Sequence, residues 1–286
     1  MRASVFFIVL TFFASVSMAQ TDGAKPLSLG VTEEIQSALL AEKRTVNIYL
    51  PKGYKKTETT KYPVIYLLDG SADEDFIHVA GLVQFNSFEW VNRVPRSIVV
   101  GIGNTDRKRD FSFPTSIEAE RKRYPTSGHS DKFISFIEKE LQPFIEKNYK
   151  ANSSKTLVGE SLGGLLATEI LLKKPGLFNK YIIISPSLWW DDGSLLRLST
   201  DTLRASAGQK TDIYIGVGKE GLAPSDTPHV QEVDANLLAD KLKNAKTANL
   251  SVFFDYLPEE NHATIGHQAI LNALKIFSKD SAVDKK

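Results

Sequence analysis

Pro63-Val64-Ile65-Tyr66-Leu67-Leu68 is an apolar run with no polar face. A strand of that kind has to be buried on both sides, which confines it to the interior of a sheet covered by helices above and below. The same character returns over residues 97–102, 156–158, 181–184, 212–217 and 250–256. Between these runs the apolar residues shift to helical spacing. Residues 131–140 carry Phe133, Ile134, Phe136 and Ile137 with Leu141 next, and Pro143 suits the start of a second helical segment ending near Tyr149. Residues 162–172, 231–242 and 263–277 repeat the helical pattern. Strands alternating with helices predict an α/β fold built on a mostly parallel sheet with helices on both faces. Two alternating runs, 31–39 and 45–50, closed by Pro51-Lys52-Gly53, predict an antiparallel hairpin at its N-terminal edge. No linker, repeat or low-complexity tract divides residues 20–286, so one domain is expected, with a frayed polar tail over 279–286.

Composition removes several function classes. The 286 residues include 35 basic and 34 acidic side chains, a net charge of +1. No overall field therefore draws the chain to nucleic acid or to an anionic membrane. Cysteine is absent, which excludes disulfides, a thiolate nucleophile and Cys-ligated zinc. At the N-terminus Met1-Arg2 is followed by an apolar run over 5–16 and then by the small residues of Ser17-Met18-Ala19. That three-part pattern predicts a cleavable signal peptide over 1–19 and export to the periplasm or the medium. The apolar run falls short of the roughly 20 residues a membrane span requires, and no later stretch reaches that length.

The chemistry is signalled by Gly159-Glu160-Ser161-Leu162-Gly163. As a bare G-x-S-x-G pentapeptide it would arise by chance in roughly one such chain in ten. Its position carries more weight, because an apolar run precedes it and a Leu- and Ala-rich helical pattern follows. A serine at a strand-to-helix turn is held on a sharp, strained corner above the sheet, where it can act as a nucleophile. It needs a base. In folds of this kind the order along the chain is Ser, acid, His, which leaves His229, His262 and His267 as candidates. His262, in the polar loop between the last strand and the last helix, is the expected base, whereas His267 falls on the helix surface and His229 in a Pro-rich loop. The acid should follow the penultimate strand, where Glu220 comes first and Asp226, Glu232 and Asp234 are rivals. Backbone N–H groups of Leu162 and Ser71, with Gly70 next, are the expected oxyanion donors.

Four blocks then show a resemblance. They are Arg44 to Pro51, Tyr62 to Gly70, Gly159 to Gly164, and Ile184-Ser185-Pro186-Ser187-Leu188-Trp189-Trp190. In that order they resemble the esterase D family of α/β-hydrolases, whose members include siderophore trilactone esterases, feruloyl and acetyl-xylan esterases, S-formylglutathione hydrolases and mycolyltransferases. The resemblance implies one α/β-hydrolase domain and acyl-ester chemistry with no cofactor and no metal. It assigns the serine, histidine and oxyanion positions to Ser161, His262, Ser71 and Leu162. It leaves the acid open, since residues 218–234 form a longer loop than in many members and some siderophore esterases work with a Ser–His pair. A small-molecule or glycan-linked ester is the expected substrate. A siderophore-type ester suits export and the basic loop; feruloyl or acetyl-xylan esters and acyl transfer are the alternatives, and a non-catalytic binding protein is a further one. For the substrate itself, Arg107 and Arg109 are candidate anion clamps. Trp190, like Trp189, is a candidate stacking surface at the carboxyl edge of the sheet.

Overall fold

The apolar runs become the strands of one eight-stranded sheet in a computed structural model, with order β1-β2-β4-β3-β5-β6-β7-β8. The structure describes residues 23–283 except 26, 206–207, 246 and 248, and of 279–283 the backbone only. The expected signal peptide and the last three tail residues lie outside the described residues. In chain order the elements begin with β1 (Gly30–Ser37), β2 (Glu42–Tyr49), β3 (Tyr62–Leu67), α1 (Phe76–Asn86) and β4 (Ile98–Ile102). Next come α2 (Arg107–Phe111), α3 (Glu118–Arg123), α4 (Ser130–Phe136), a π-turn (Ile137–Leu141) and α5 (Gln142–Asn148). They continue with β5 (Ala151–Glu160), α6 (Leu162–Lys173), β6 (Lys180–Ile184), α7 (Ser194–Arg197) and α8 (Asp201–Ala205). The last are β7 (Thr211–Gly218), α9 (Gln231–Lys243), β8 (Leu250–Leu257) and α10 (Ile265–Val283). No helix among the described residues is long and apolar enough to cross a membrane.

The β1–β2 hairpin and the β2–β4 pair are antiparallel, and every other pair is parallel. This is the expected mostly parallel sheet with a hairpin at its edge. Its strands bury apolar side chains on both faces. Tyr66, Leu157 and Ile183 point into one core with α4, α5, α6 and α9, while Leu67, Val158 and Ile182 point into the other with α1 and α10. From β3 the chain moves outward to β4, then returns to place β5 on β3's other side. The carboxyl ends of β3 and β5 therefore flank the crevice where strand order reverses, which is where α/β sheets bind ligands.

Some boundaries differ from the sequence reading. The strand expected at 156–158 begins at Ala151, because the β3 ladder extends to Tyr62 opposite Ala151 and satisfies the backbone of a polar stretch. The last helix runs to Val283, past the apolar pattern that ended at Phe277. The basic insertion is not a plain loop, for it folds into α2 and α3. Asp106 caps α2 by accepting from the Arg109 N–H at 3.0 Å.

Arg109 is a correction. Its guanidinium bonds Glu42 at 2.6 and 3.0 Å and Asp110 at 2.7 Å, so its fork is filled by the protein and it lines neither cavity at Ser161. Beneath it Arg44, fully buried, bonds Asp110 at 2.6 Å, Glu42 at 2.8 Å and the Gly103 carbonyl at 3.0 Å, with the Phe133 ring 5.0 Å away. Two arginines and two carboxylates thus pin the hairpin to α2 and α4. Removing one partner of a buried pair strands the other charge, at a cost of about 3–5 kcal/mol. Asp110→Ala should lower the unfolding free energy by about 3 kcal/mol in a urea titration; a loss under about 1 kcal/mol would mean Glu42 suffices for both arginines.

Candidate active site

Ser161 occupies the corner between β5 and α6 with φ 59° and ψ −117°, a backbone region that residues with side chains rarely enter. The corner closes because Gly159 lies against the following turn, where a Cβ on Gly159 would come within 2.4 Å of the Gly163 carbonyl oxygen. Neighbouring backbone fixes the strained residue from the next strand: the Ser161 N–H donates to the Ile184 carbonyl at 3.0 Å, and the Ser187 N–H donates to the Ser161 carbonyl at 3.0 Å. The hydroxyl is left above the sheet edge at the start of α6.

His262 hangs from the loop between β8 and α10, with Nε2 3.1 Å from Ser161 Oγ. Its Nδ1 lies 2.6 Å from Glu220 Oε2. With the proton on Nδ1 facing the carboxylate, Nε2 is the acceptor for the serine hydroxyl. Glu220 follows β7. Its Oε1 accepts from Ser185 Oγ and from the Gly218 N–H at 3.2 Å, and its Oε2 also accepts from Gln231 Nε2 at 3.0 Å. Burial pushes the Glu220 carboxyl up, but hydrogen bonds from His262 and Ser185 outweigh it and hold the group below its ordinary value. The hydrogen bond to Glu220 raises the His262 imidazole above its ordinary value, against the opposing effect of burial.

The rival carboxylates have other partners. Glu232 accepts the N–H groups of Glu220 at 2.8 Å and Gly221 at 3.0 Å, so it shapes the loop that presents Glu220. Asp234 is 2.8 Å from His229 Nδ1, and Asp226 is an exposed partner of Arg123 at 3.8 Å. His267 stacks on His78 with ring centres 4.9 Å apart.

Of the oxyanion candidates, Leu162 is the first residue of α6, so its N–H has no acceptor within the helix. The Gly70 N–H is taken by the Ile102 carbonyl at 3.0 Å, which corrects its expected role; its glycine is required for close packing, since a Cβ would meet Gly101 Cα at 2.3 Å. The Ser71 N–H points to the Glu74 carboxylate at 3.3 Å, a long bond that a stronger acceptor could replace.

Arg107 lines the cavity beside Ser161, yet its Nε and Nη2 grip Asp69 at 2.6 and 2.9 Å, and Nη2 also donates to the Glu160 carbonyl at 3.2 Å. It ties the loop after β3 to the serine corner. Trp190 also lines that cavity, but it is 1% exposed and its Nε1–H is bonded to the Phe113 carbonyl at 2.9 Å. Trp189 and Ser187 line the space on both sides of Ser161. Ser185, Ser187 and Glu160 are among the site groups to which the sequence reading gave no role, as is Gln231. Glu160 stands beside the serine with its carboxyl pushed up to about 7, by burial first and then by Asp75, against the pull of His262. Ser185 and Ser187 sit in one of the four family-like blocks, the only signal for them.

A family model described as "Putative esterase" matches residues 37–257. The chain belongs to this esterase family. Among curated members it is similar to the ferri-bacillibactin esterase BesA of Bacillus subtilis, 32% identical over 196 residues, 64% of this chain and 63% of the relative. It is also similar to the siderophore triacetylfusarinine C esterase of Aspergillus fumigatus, 27% identical over 176 residues, 57% of this chain and 58% of the relative. The chain thus spans under two thirds of the length of these curated relatives. An IroE-like serine hydrolase from Shewanella oneidensis has the same fold, with TM-score 0.77 and 33% identity over 88% of this chain and 80% of that one.

The hydrogen-bonded line predicts a pH profile. Only neutral His262 can accept a proton, so kcat/KM for an ester should fall as pH drops through a midpoint above the free imidazole value of about 6.5. Glu220→Gln removes the charge that raises the imidazole. The midpoint should then move to lower pH while the plateau drops roughly a hundredfold or more. A plateau loss under about tenfold with no shift of the midpoint would take the acid role away from Glu220.

Proposed function

We propose that this family member is an exported serine esterase that cleaves carboxylic esters through a Ser161–His262–Glu220 triad, acting on siderophore-type esters. The observation that carries the reading is the position of one imidazole between two partners, 3.1 Å from Ser161 Oγ and 2.6 Å from Glu220. A hydroxyl is a weak nucleophile until its proton has an acceptor, and His262 Nε2 is that acceptor. As Oγ bonds to the ester carbonyl carbon, its proton passes to Nε2 and the carbonyl oxygen takes up negative charge beside the Leu162 and Ser71 N–H groups. Glu220 stabilises the imidazolium that results.

His262 then returns the proton to the departing alcohol oxygen, the C–O bond breaks, and an acyl group remains on Ser161. Water attacks this acyl carbon in the second step. It gives one proton to His262, and the proton returns to Ser161 Oγ as the carboxylic acid leaves. The reaction draws on groups of this chain and water alone. The siderophore reading is supported by the substrates in the names of the Bacillus and Aspergillus relatives, and export by the signal-like N-terminus.

Ser161→Ala should abolish hydrolysis of p-nitrophenyl acetate, by about four orders of magnitude or more, while circular dichroism stays unchanged; a variant with full activity would remove Ser161 as nucleophile. In a panel of trilactone siderophores, methyl ferulate, acetylated xylan and S-formylglutathione, the trilactones should show the highest kcat/KM. Preference by tenfold for one of the others would redirect the substrate reading to that class.

A further inference from the structure

Two cavities meet at Ser161 and share Ser187, Trp189 and Pro224 in their walls. One, of about 230 Å³, includes Leu162, Lys108, Tyr124, Trp189 and Trp190 in its wall. The other, of about 410 Å³, includes His262, Glu220, Lys219, Gln231 and Asn261. The chemistry at Ser161 decides which part of an ester enters each. In the tetrahedral adduct the negative oxygen turns to the Leu162 N–H, and the departing oxygen has to lie where His262 Nε2 can protonate it. His262 borders only the larger of the two cavities and Leu162 only the smaller. The alcohol part therefore lies in the larger cavity, which leaves the smaller one for the acyl substituent. Its volume is below the roughly 300–1,000 Å³ of sites that hold a whole drug-sized ligand, in keeping with a place for one arm of a substrate.

The wall of the smaller cavity carries two cations, Arg107 and Lys108, and no Asp or Glu among its described residues. The charge of Arg107 is answered by Asp69 at 2.6 Å. Lys108 has no carboxylate within ion-pair distance among the described residues, and its ammonium is held 5.1 Å from the centre of the Tyr124 ring. A cation parked on an aromatic face at the mouth of an aromatic-walled space is attracted there only modestly, so it remains available to an incoming anion. Lys108 is itself exposed, while the neighbouring Trp189 and Trp190 are almost wholly buried.

We propose that the smaller cavity is the acyl site, that it selects esters whose acyl part carries a negative charge, and that Lys108 is the residue that determines this specificity. The inference rests on the reading of Ser161 as nucleophile. Two matched ester pairs test it in the full chain. In the first pair the charge is on the acyl side: 4-nitrophenyl 4-carboxybenzoate against 4-nitrophenyl 4-methylbenzoate. In the second it is on the alcohol side: 4-carboxyphenyl acetate against 4-methylphenyl acetate.

For each pair the ratio of kcat/KM, charged over neutral, cancels general damage to the enzyme. Lys108→Gln should lower the acyl-side ratio about fivefold, and Lys108→Glu should lower it further, as expected for loss and reversal of one partly exposed charge contact. Raising the salt from 0.05 to about 0.5 M should shrink the wild-type ratio in the same direction. Unchanged acyl-side ratios in both variants would overturn the role of Lys108. A drop confined to the alcohol-side pair would overturn the assignment of the two cavities. Turnover of the neutral esters that survives Ser161→Ala, or no turnover of any ester, would instead overturn the reading of the site on which the inference stands.

Discussion

Everything at the site depends on Ser161 being held in a backbone region that costs of order 1–3 kcal/mol to occupy. That cost is met by contacts no residue of the motif supplies alone. Gly159 lets the corner close on Gly163, while the end of β6 delivers the Ile184 carbonyl and the segment after it the Ser187 N–H to the serine's two sides. The corner is therefore a property of three adjacent segments. Arg107 adds a fourth by bridging Asp69, itself at φ 54°, to the Glu160 carbonyl. The loop after β3 and the serine corner cannot drift apart without breaking an ion pair that is mostly shielded from water.

The electrostatics follow from that geometry. Three carboxyls lie close to His262 or to its surroundings, and their environments drive them apart. Glu220 receives hydrogen bonds from His262, Ser185, Gly218 and Gln231, which keep it charged despite burial. Glu160 is raised by burial and then by Asp75, and Asp75 by burial and then by Asp69. The imidazole thus faces an acid held below its ordinary value on its Nδ1 side, while the carboxyl next to Ser161 is pushed up to about 7. Such separation between neighbouring acids is how a fold assigns different tasks to identical functional groups.

Much of this was legible in the sequence. The buried runs and their alternation with helices predicted the parallel sheet, and the motif's place between strand and helix predicted the corner at Ser161. The histidine in the loop before the last helix was legible because chain order and loop position both pointed to it. The acid was legible only as a ranking, with Glu220 first for its place after the penultimate strand, since spacing cannot tell which carboxylate faces which partner. Glu232 and Glu220 prove to act on the same loop, one bonding its backbone and the other reaching His262. Gly70 misled for a related reason: a glycine after a strand marks close backbone approach, but beside Gly101 its N–H is consumed by the Ile102 carbonyl.

The basic stretch Arg107-Lys108-Arg109 shows where composition stops being informative. Three adjacent cations on one short helix point in different directions, because successive residues on a helix are turned about 100° from one another. Arg109 turns to the hairpin and is neutralised by Glu42 and Asp110, and Arg107 turns to the crevice and is neutralised by Asp69. Lys108 falls between them, where the nearest π-face is Tyr124. A charge already matched within the fold contributes rigidity, whereas an unmatched one contributes field. The helical turn, set by the Asp106 cap, is thus what converts one run of like charges into two structural ties and one cation facing the space beside Ser161.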